Sequence, residues 1–540
     1  MPTKNSGHTE NRHDIFTGFY HTAEWMITAF AVTLVFIVFV MQAYTIPTGS
    51  MADTLRGAHF RLICKQCGYR YEHGFVPTQY GWPENSFPPD NTLTGPGQLR
   101  CPSCGCYPPN PKRDISGKLH ISPDVAERIA PVMKGDRIFV LKSIYQFADP
   151  DRWDFIVFKN PLDPSINYIK RLVARPGETI EIINGDVYIN NRIARKPPAI
   201  QEELWMCVYN NDYQPIRPDE KQFNGHRWQQ PFANAEDSNW DLTPHNGTVF
   251  ALDDLDDPDR INTITYDTNI GNDFRATYAY DEIEFFPAMP ICSDLMVRFD
   301  VRLKGPRSVT GASLTKYGID YRGWISNGKM MIEKIDKDGT TSELTSREFT
   351  STNADLIAQF KFANVDHQLI LEFGNEKLTF DLSTAANDAG QIQLKMPKVA
   401  ILGSGTLQLS RIGIFRDIHY LTTMPGGKPI LRAGPGDPFT LSDDEFFVLG
   451  DNSPASLDAR LWNRPGLGNN NGTYRPGTVP RDYLIGKAFF VYWPGPFKPY
   501  NGSKLAKKMN KKRPTRILKI LLNIPYIEGM KAIKGGRKGY

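Results

Sequence analysis

Three hydropathy patterns follow one another along this chain. The first is an unbroken apolar run. Trp25 to Ala43 holds no charged residue, and Ile27, Phe30, Val32, Leu34, Val35 and Phe36–Val40 dominate it. About 18–20 helical residues just cross a ~30 Å hydrocarbon core. The run therefore predicts a transmembrane helix over 24–43, preceded by a tail of residues 1–23. A cleaved leader is the rival, because Met41-Gln42-Ala43 resembles a cleavage site. Against it, the stretch before the run is long, mixed in charge and not strongly basic. Lys4 and Arg12 before the run, and Arg56, Arg61 and Lys65 after it, give no clear orientation. The run ends at Pro47-Thr48-Gly49-Ser50-Met51, where a Pro, a Gly and two hydroxyls predict a turn.

The second pattern is short apolar strands between turns. It begins at Gly135–Leu141 and repeats at Arg152–Pro161 and Asn167–Glu178. Ile180, Ile182, Val187 and Ile189 then alternate, with Asn184-Gly185 and Asn190-Asn191 as hairpin turns. Within the third of these strands Lys170 lies among Tyr168, Ile169, Leu172 and Val173. An amine buried among apolar groups loses its preference for charge and can act as a base near neutral pH. The bland alternative is an edge lysine whose amine reaches water.

The third pattern is strict alternation. Val297–Lys304 reads apolar, charged, apolar, charged, and further strands are expected at Tyr317–Tyr321, Met330–Ile335, Gln368–Phe373, Leu378–Leu382, Val399–Leu402 and Leu407–Phe415. Asp338-Gly339, Gly374-Asn375 and Gly403-Ser404-Gly405 supply turns. This is the pattern of an antiparallel β-sandwich.

Length and charge then sharpen the division. At 540 residues the chain needs more than one domain. Net charge is +4, yet residues 501–540 carry 12 Lys/Arg against the single acid Glu528, so the preceding body is net acidic. Lys504–Arg516 followed by Ile517–Ile524 reads as a basic, interfacial segment on anionic lipid. Nucleic acid is not expected as a partner. The acidic run Asp253–Asp259 reads as a solvated loop before a calcium site.

Five of seven cysteines cluster between Cys64 and Cys106. Cys64-x-x-Cys67-Gly68 and Cys101-x-x-Cys104-Gly105 suit tetrahedral thiolate binding of structural zinc. Two disulfides are the alternative. Cys106 is a spare ligand or a free thiol.

In order along the chain, Pro47–Met51, Asp154–Phe158, Tyr168–Val173 with Pro176-Gly177-Glu178, and Gly450–Arg460 resemble the successive motifs of type I bacterial signal peptidases. Gly486-Lys487-Ala488 and Val491–Pro494 resemble that family's closing strand. The resemblance implies a mainly β fold and a single-pass protein of the bacterial cytoplasmic membrane, with its catalytic domain on the extracytoplasmic side. It implies a Ser/Lys endopeptidase that removes signal peptides from preproteins and needs no catalytic cofactor. By position, Ser50 matches the nucleophile and Lys170 the general base. Thr48 and the Ser50 amide match the oxyanion hole, Ser456 the hydroxyl that orients the lysine, and Asp458 with Arg460 a supporting salt bridge. Met51 packs beside the nucleophile. Two departures leave these groups intact: Asp53-Thr54-Leu55 replaces the usual Pro-Thr-Leu, and Ala459 replaces a Ser.

The expected catalytic domain is therefore 44–57 with 131–196 and 431–497. It is interrupted by a zinc-ribbon-like module at 58–130, with Cys64, Cys67, Cys101 and Cys104 as metal ligands. A β-sandwich at 197–430, whose last strand resembles concanavalin-like (laminin-G-like) domains, forms the second interruption. The basic tail is 498–540. A protein or carbohydrate ligand is one expectation for the sandwich. The rival functions are an anchored surface-binding protein on an inactive scaffold, and a peptidase dedicated to one class of surface protein.

Overall fold

The computed structural model describes residues 10–35, 39–80, 82–83, 99–107, 131–223, 225–254, 257, 260–326, 328–349, 355–383, 386, 395–468, 472–493 and 530–534. It is mainly β. One eight-stranded sheet collects distant parts of the chain, in the order Met41–Thr45, Arg137–Leu141, Leu484–Trp493, Phe155–Asn160, Asp163–Ala174, Glu445–Leu449 and Val479–Pro480, with Lys531–Ala532 beside Leu484–Trp493. Phe155, Ile138, Val140, Leu172 and Phe447 are fully buried along it. The hairpin turns at Asn184-Gly185 and Asn190-Asn191 form as expected, all four residues at positive φ. Between them Thr179–Ile183, Asp186–Ile189 and Arg192–Ile193 build most of a four-stranded sheet.

The apolar N-terminal run takes a different form from the one predicted over 24–43. The helix is Glu10–Val35, and Met41–Thr45 is a strand paired antiparallel with Arg137–Leu141. An open sheet edge leaves backbone N–H and C=O groups without partners, and Met41–Ala43 satisfy them there. Residues 36–38 lie outside the described residues. Among the described residues no helix is long and apolar enough to cross a membrane.

The large insertion is a twelve-stranded antiparallel, β-sandwich-like assembly around its own core. Its spine is two long strands, Leu295–Lys316 and Val399–Arg416. The first half of Leu295–Lys316 also pairs with Asp355–Val365 and the second half with Ile319–Ser326. The turn expected at Gly403-Ser404-Gly405 lies inside Val399–Arg416. Pairing along Leu295–Lys316 holds it extended, with a register shift between Lys304 and Val309 absorbing the positive φ of Gly405. In the acidic loop Asp254 accepts from Arg260 and Asn262, while Asp256 and Asp259 lie outside the described residues.

In the cysteine-rich insertion, Arg70–Gly74, His59–Ile63 and Val132–Met133 form a small sheet. The interfacial segment expected over 504–524 lies outside the described residues, and the described end of the tail, Lys531–Ala532, is a strand against Phe490 and Val491.

Candidate active site

Ser50 sits in a single 3-10 turn, Gly49–Met51, separated by three residues from the edge strand Met41–Thr45. Its neighbour Met51 is fully buried with Ile46, Leu55, Ile138 and Phe155, so the turn is pinned by packing. Gly49 has no room for a side chain, since a Cβ there would meet the Tyr280 ring at 2.2 Å.

Lys170 lies on Asp163–Ala174, opposite Ile156 of the neighbouring strand. It is buried, and its Nζ donates to Ser50 Oγ at 2.5 Å. Burial pushes its pKa down to about 8; Asp458 and Asp451 pull the other way, and Arg460 opposes them. An amine with this affinity is neutral in a sizeable fraction near pH 7–8 and can accept a proton. The alternative of an edge lysine reaching water is thereby excluded.

The acids around Lys170 are already committed. Asp458 takes Arg460 in a two-pronged contact at 2.9 and 2.8 Å and accepts the Gly450 amide at 3.0 Å. Arg460 also donates to Ser453 Oγ and Leu421 O. Asp451 takes Arg171 in a second such contact at 2.7 and 2.6 Å. All four of these side chains are fully buried, where only well-formed pairs offset the desolvation of both charges. The Arg171–Asp451 pair was legible only as motif residues without a role. Its signal is an arginine in the middle of an apolar strand.

Thr54 Oγ1 donates to Asp451 at 2.7 Å, so the threonine retained in Asp53-Thr54-Leu55 braces the buried acid. The Asn452 amide donates to Ser50 O at 3.1 Å, binding the loops that carry Ser50 and Asp451 together. Thr48 lines a cavity beside Gly49. Ser456 is buried against Gly450, and among the described residues its Oγ makes no hydrogen bond, so the expected bond to Lys170 is not formed.

Residues from the large insertion reach this site too. Tyr278 Oη donates to Asp451 O at 2.9 Å, and Asp281 accepts from Asn452 Nδ2 at 2.7 Å. Burial raises the Asp281 pKa to about 7. No spacing in the sequence points to these residues, because they lie far from either motif.

The four cysteines Cys64, Cys67, Cys101 and Cys104 converge, with their sulfurs all within 4.8 Å of one another. Sγ separations are 3.7 Å for Cys64–Cys104 and for Cys67–Cys101, and all four are free thiols. Gly68 and Gly105 take positive φ, and their amides close onto Cys64 O and Cys101 O at 2.7 and 3.0 Å. Two tight knuckles presenting four buried sulfurs are a donor set that fits a tetrahedral thiophilic cation.

Comparison with known proteins bears on the segments that carry Lys170 and Asp458–Arg460. The family model described as signal peptidase, peptidase S26, matches residues 129–254 and 421–493. Signal peptidase I of Aquifex aeolicus is 37% identical over 81 residues, 15% of this chain and 31% of that protein. Signal peptidase I of Rickettsia rickettsii is 44% identical over 62 residues, 12% of this chain and 20% of that protein. The chain thus spans a third or less of the length of these relatives. A carbohydrate binding module from Bacillus subtilis aligns with 34% of this chain and 95% of its own at 9% identity, with a TM-score of 0.23, too slight a likeness to assign a fold.

Proposed function

We propose that the β-rich domain around Ser50 is a serine endopeptidase of the signal peptidase (S26) type that removes signal peptides from exported preproteins, a reading supported by the family match over the segments that carry Lys170 and Asp458–Arg460. The observation that carries this is the 2.5 Å contact between a buried, pKa-lowered Lys170 and Ser50 Oγ. Neutral Lys170 takes the Ser50 proton as Oγ attacks the scissile carbonyl. The Ser50 amide and Thr48 hydroxyl stabilise the oxyanion. Protonated Lys170 gives its proton to the leaving amine, and the acyl-enzyme is hydrolysed by water with Lys170 again as base. Asp458–Arg460 holds the loop behind the site. A scaffold that only bound a ligand would need none of this polar machinery, which weighs against an inactive surface-binding protein.

The proposal places the chain at the bacterial cytoplasmic membrane with this domain on the outer side. Trp25, Met26, Ile27, Phe30, Val32, Leu34 and Val35 of the first helix are all exposed, which suits lipid contact. Cys64, Cys67, Cys101 and Cys104 would hold a structural zinc, which would fold a loop-rich module without taking part in the chemistry.

Cleavage of a model preprotein tests the reading. Wild type cuts it, while Ser50→Ala does not. An inert wild type, or full activity in the variant, overturns the mechanism. Metal analysis of the purified chain is expected to find about one zinc; two disulfides and no metal would remove that assignment.

A further inference from the structure

A cavity of about 580 Å³ opens directly beside Thr48 and Gly49, one residue from the nucleophile. The Ser50 domain supplies only one side of it, through Pro47–Gly49, Asn452, Pro454 and Ala455. The other walls come from the two insertions. Phe75 and Val76 come from the cysteine-rich module; Tyr280, Phe286, Met289 and Met424 come from the large insertion. These six apolar side chains dominate the lining, and the polar groups sit in pairs. His73 Nε2 lies 3.5 Å from Glu282, and Asn452 Nδ2 donates to Asp281.

The two insertions are stitched together where they form this wall. Gly74 N donates to Tyr280 O at 2.8 Å, Tyr280 Oη donates to Ala58 O at 2.9 Å, and His73 Nδ1 lies 3.0 Å from Ala279 O. A Cβ on Gly74 would meet the Tyr280 ring at 2.5 Å, so the contact is close-packed. The cavity is thus a built feature whose wall includes Thr48 and Gly49, the residues just before the nucleophile.

Cavities of about 300–1,000 Å³ with apolar walls and few placed polar groups are the usual form of a binding site. One that begins beside the nucleophile is filled by the polypeptide on which the nucleophile acts. We propose that this cleft is a specificity subsite, formed by the insertions, that takes bulky apolar side chains of the substrate segment flanking the scissile bond. It rests on the peptidase reading above and narrows its substrate class. The substrates are polypeptides that carry large apolar residues near the cut. Apolar pockets discriminate by about tenfold or more per buried methylene, so the preference is measurable.

The test uses the full chain and a set of peptides sharing one cleavage site. Each flanking position carries Ala, Leu, Phe or Asp in turn. At one or more positions kcat/KM is expected to rise at least about tenfold from Asp to Leu or Phe. Val76→Asp at the exposed rim and Met424→Trp within the cleft should each lower the Leu-to-Ala ratio at that position about tenfold. Because a ratio is read, a variant that folds poorly does not imitate the effect. A serine-reactive phosphonate that labels wild type but not Ser50→Ala reports the nucleophile separately. If the chain labels but shows no flanking preference, cleaves no peptide of the set, or keeps its ratio in both variants, the cleft proposal alone falls. A chain that neither labels nor cleaves overturns both readings.

Discussion

Buried lysines in two regions of this molecule have opposite chemistry. Lys170, beside Ser50, is pushed down to a pKa of about 8. Lys196 and Lys316, where the Ser50 domain meets the large insertion, are raised above the ordinary lysine range. All three are buried, so burial alone does not decide the sign. What differs is the carboxylates. Lys196 contacts Asp366 at 2.5 Å and Asp417 at 2.9 Å, and Lys316 contacts Asp294. Near Lys170 the acids are taken, Asp451 by Arg171 and Asp458 by Arg460. Desolvation then acts on an amine whose neighbour is a neutral hydroxyl. A buried lysine becomes a base where arginines have already claimed the acids.

The largest effect expected from breaking this contrast is at the base itself. On the proposed mechanism, Lys170→Met should lower kcat/KM for a model preprotein by at least about a thousandfold, because Ser50 loses the amine that takes its proton. In the other region Asp294→Asn removes the carboxylate that Lys316 contacts and leaves the more distant Asp186 as a nearby acid. Chemical denaturation should show a loss of about 1–3 kcal/mol, less than for a lysine left with no acid at all, because Asp186 remains near. Because the Lys316 pKa is raised, this stabilisation is fully present at neutral pH and fades only as pH climbs past the ordinary lysine range.

Arg460→Met converts the first region toward the second. The freed Asp458 carboxylate raises the Lys170 pKa, so the rising limb of the pH–rate profile should move up by about one unit, with activity at pH 7 falling roughly tenfold. In wild type that limb should lie at about 8, with the rate dropping about tenfold per pH unit below it. An unmoved limb in the variant would show that the arginine does not set the lysine's affinity.

The smallest effect is on stability. A lysine whose folded pKa is lowered penalises folding below about 8, and the penalty fades as pH rises from there to 10.5. Lys170→Met should therefore stabilise the fold by about 1–3 kcal/mol at pH 7, partly offset by the lost Ser50 hydrogen bond, and by less near pH 10. Thermal unfolding at the two pH values checks it.

Local pattern made much of the architecture legible. Gln368–Phe373 forms with the expected boundaries, and the Asn-Gly and Asn-Asn hairpins turn where those residues tolerate positive φ. The same logic failed at Gly403-Ser404-Gly405. Pairing along a neighbouring strand outweighed the turn preference of two glycines there. It also misjudged Met41–Ala43, since an apolar triplet suits a helix in lipid or a strand at a sheet edge equally well.

By itself the sequence determined which chemistry this chain can carry: a serine in a tight turn, a lysine in an apolar strand, one acid–arginine motif and two cysteine knuckles. These are properties of residue type and short spacing. Only the tertiary structure decided that Lys170 meets Ser50, that Arg171 claims Asp451, and that Tyr278, Tyr280 and Asp281 of the insertion line and brace the site. The reason is physical. A pKa depends on every charge within a few ångströms, and a cleft depends on every wall. Here those neighbours come from segments more than a hundred residues apart, which no local pattern brings together.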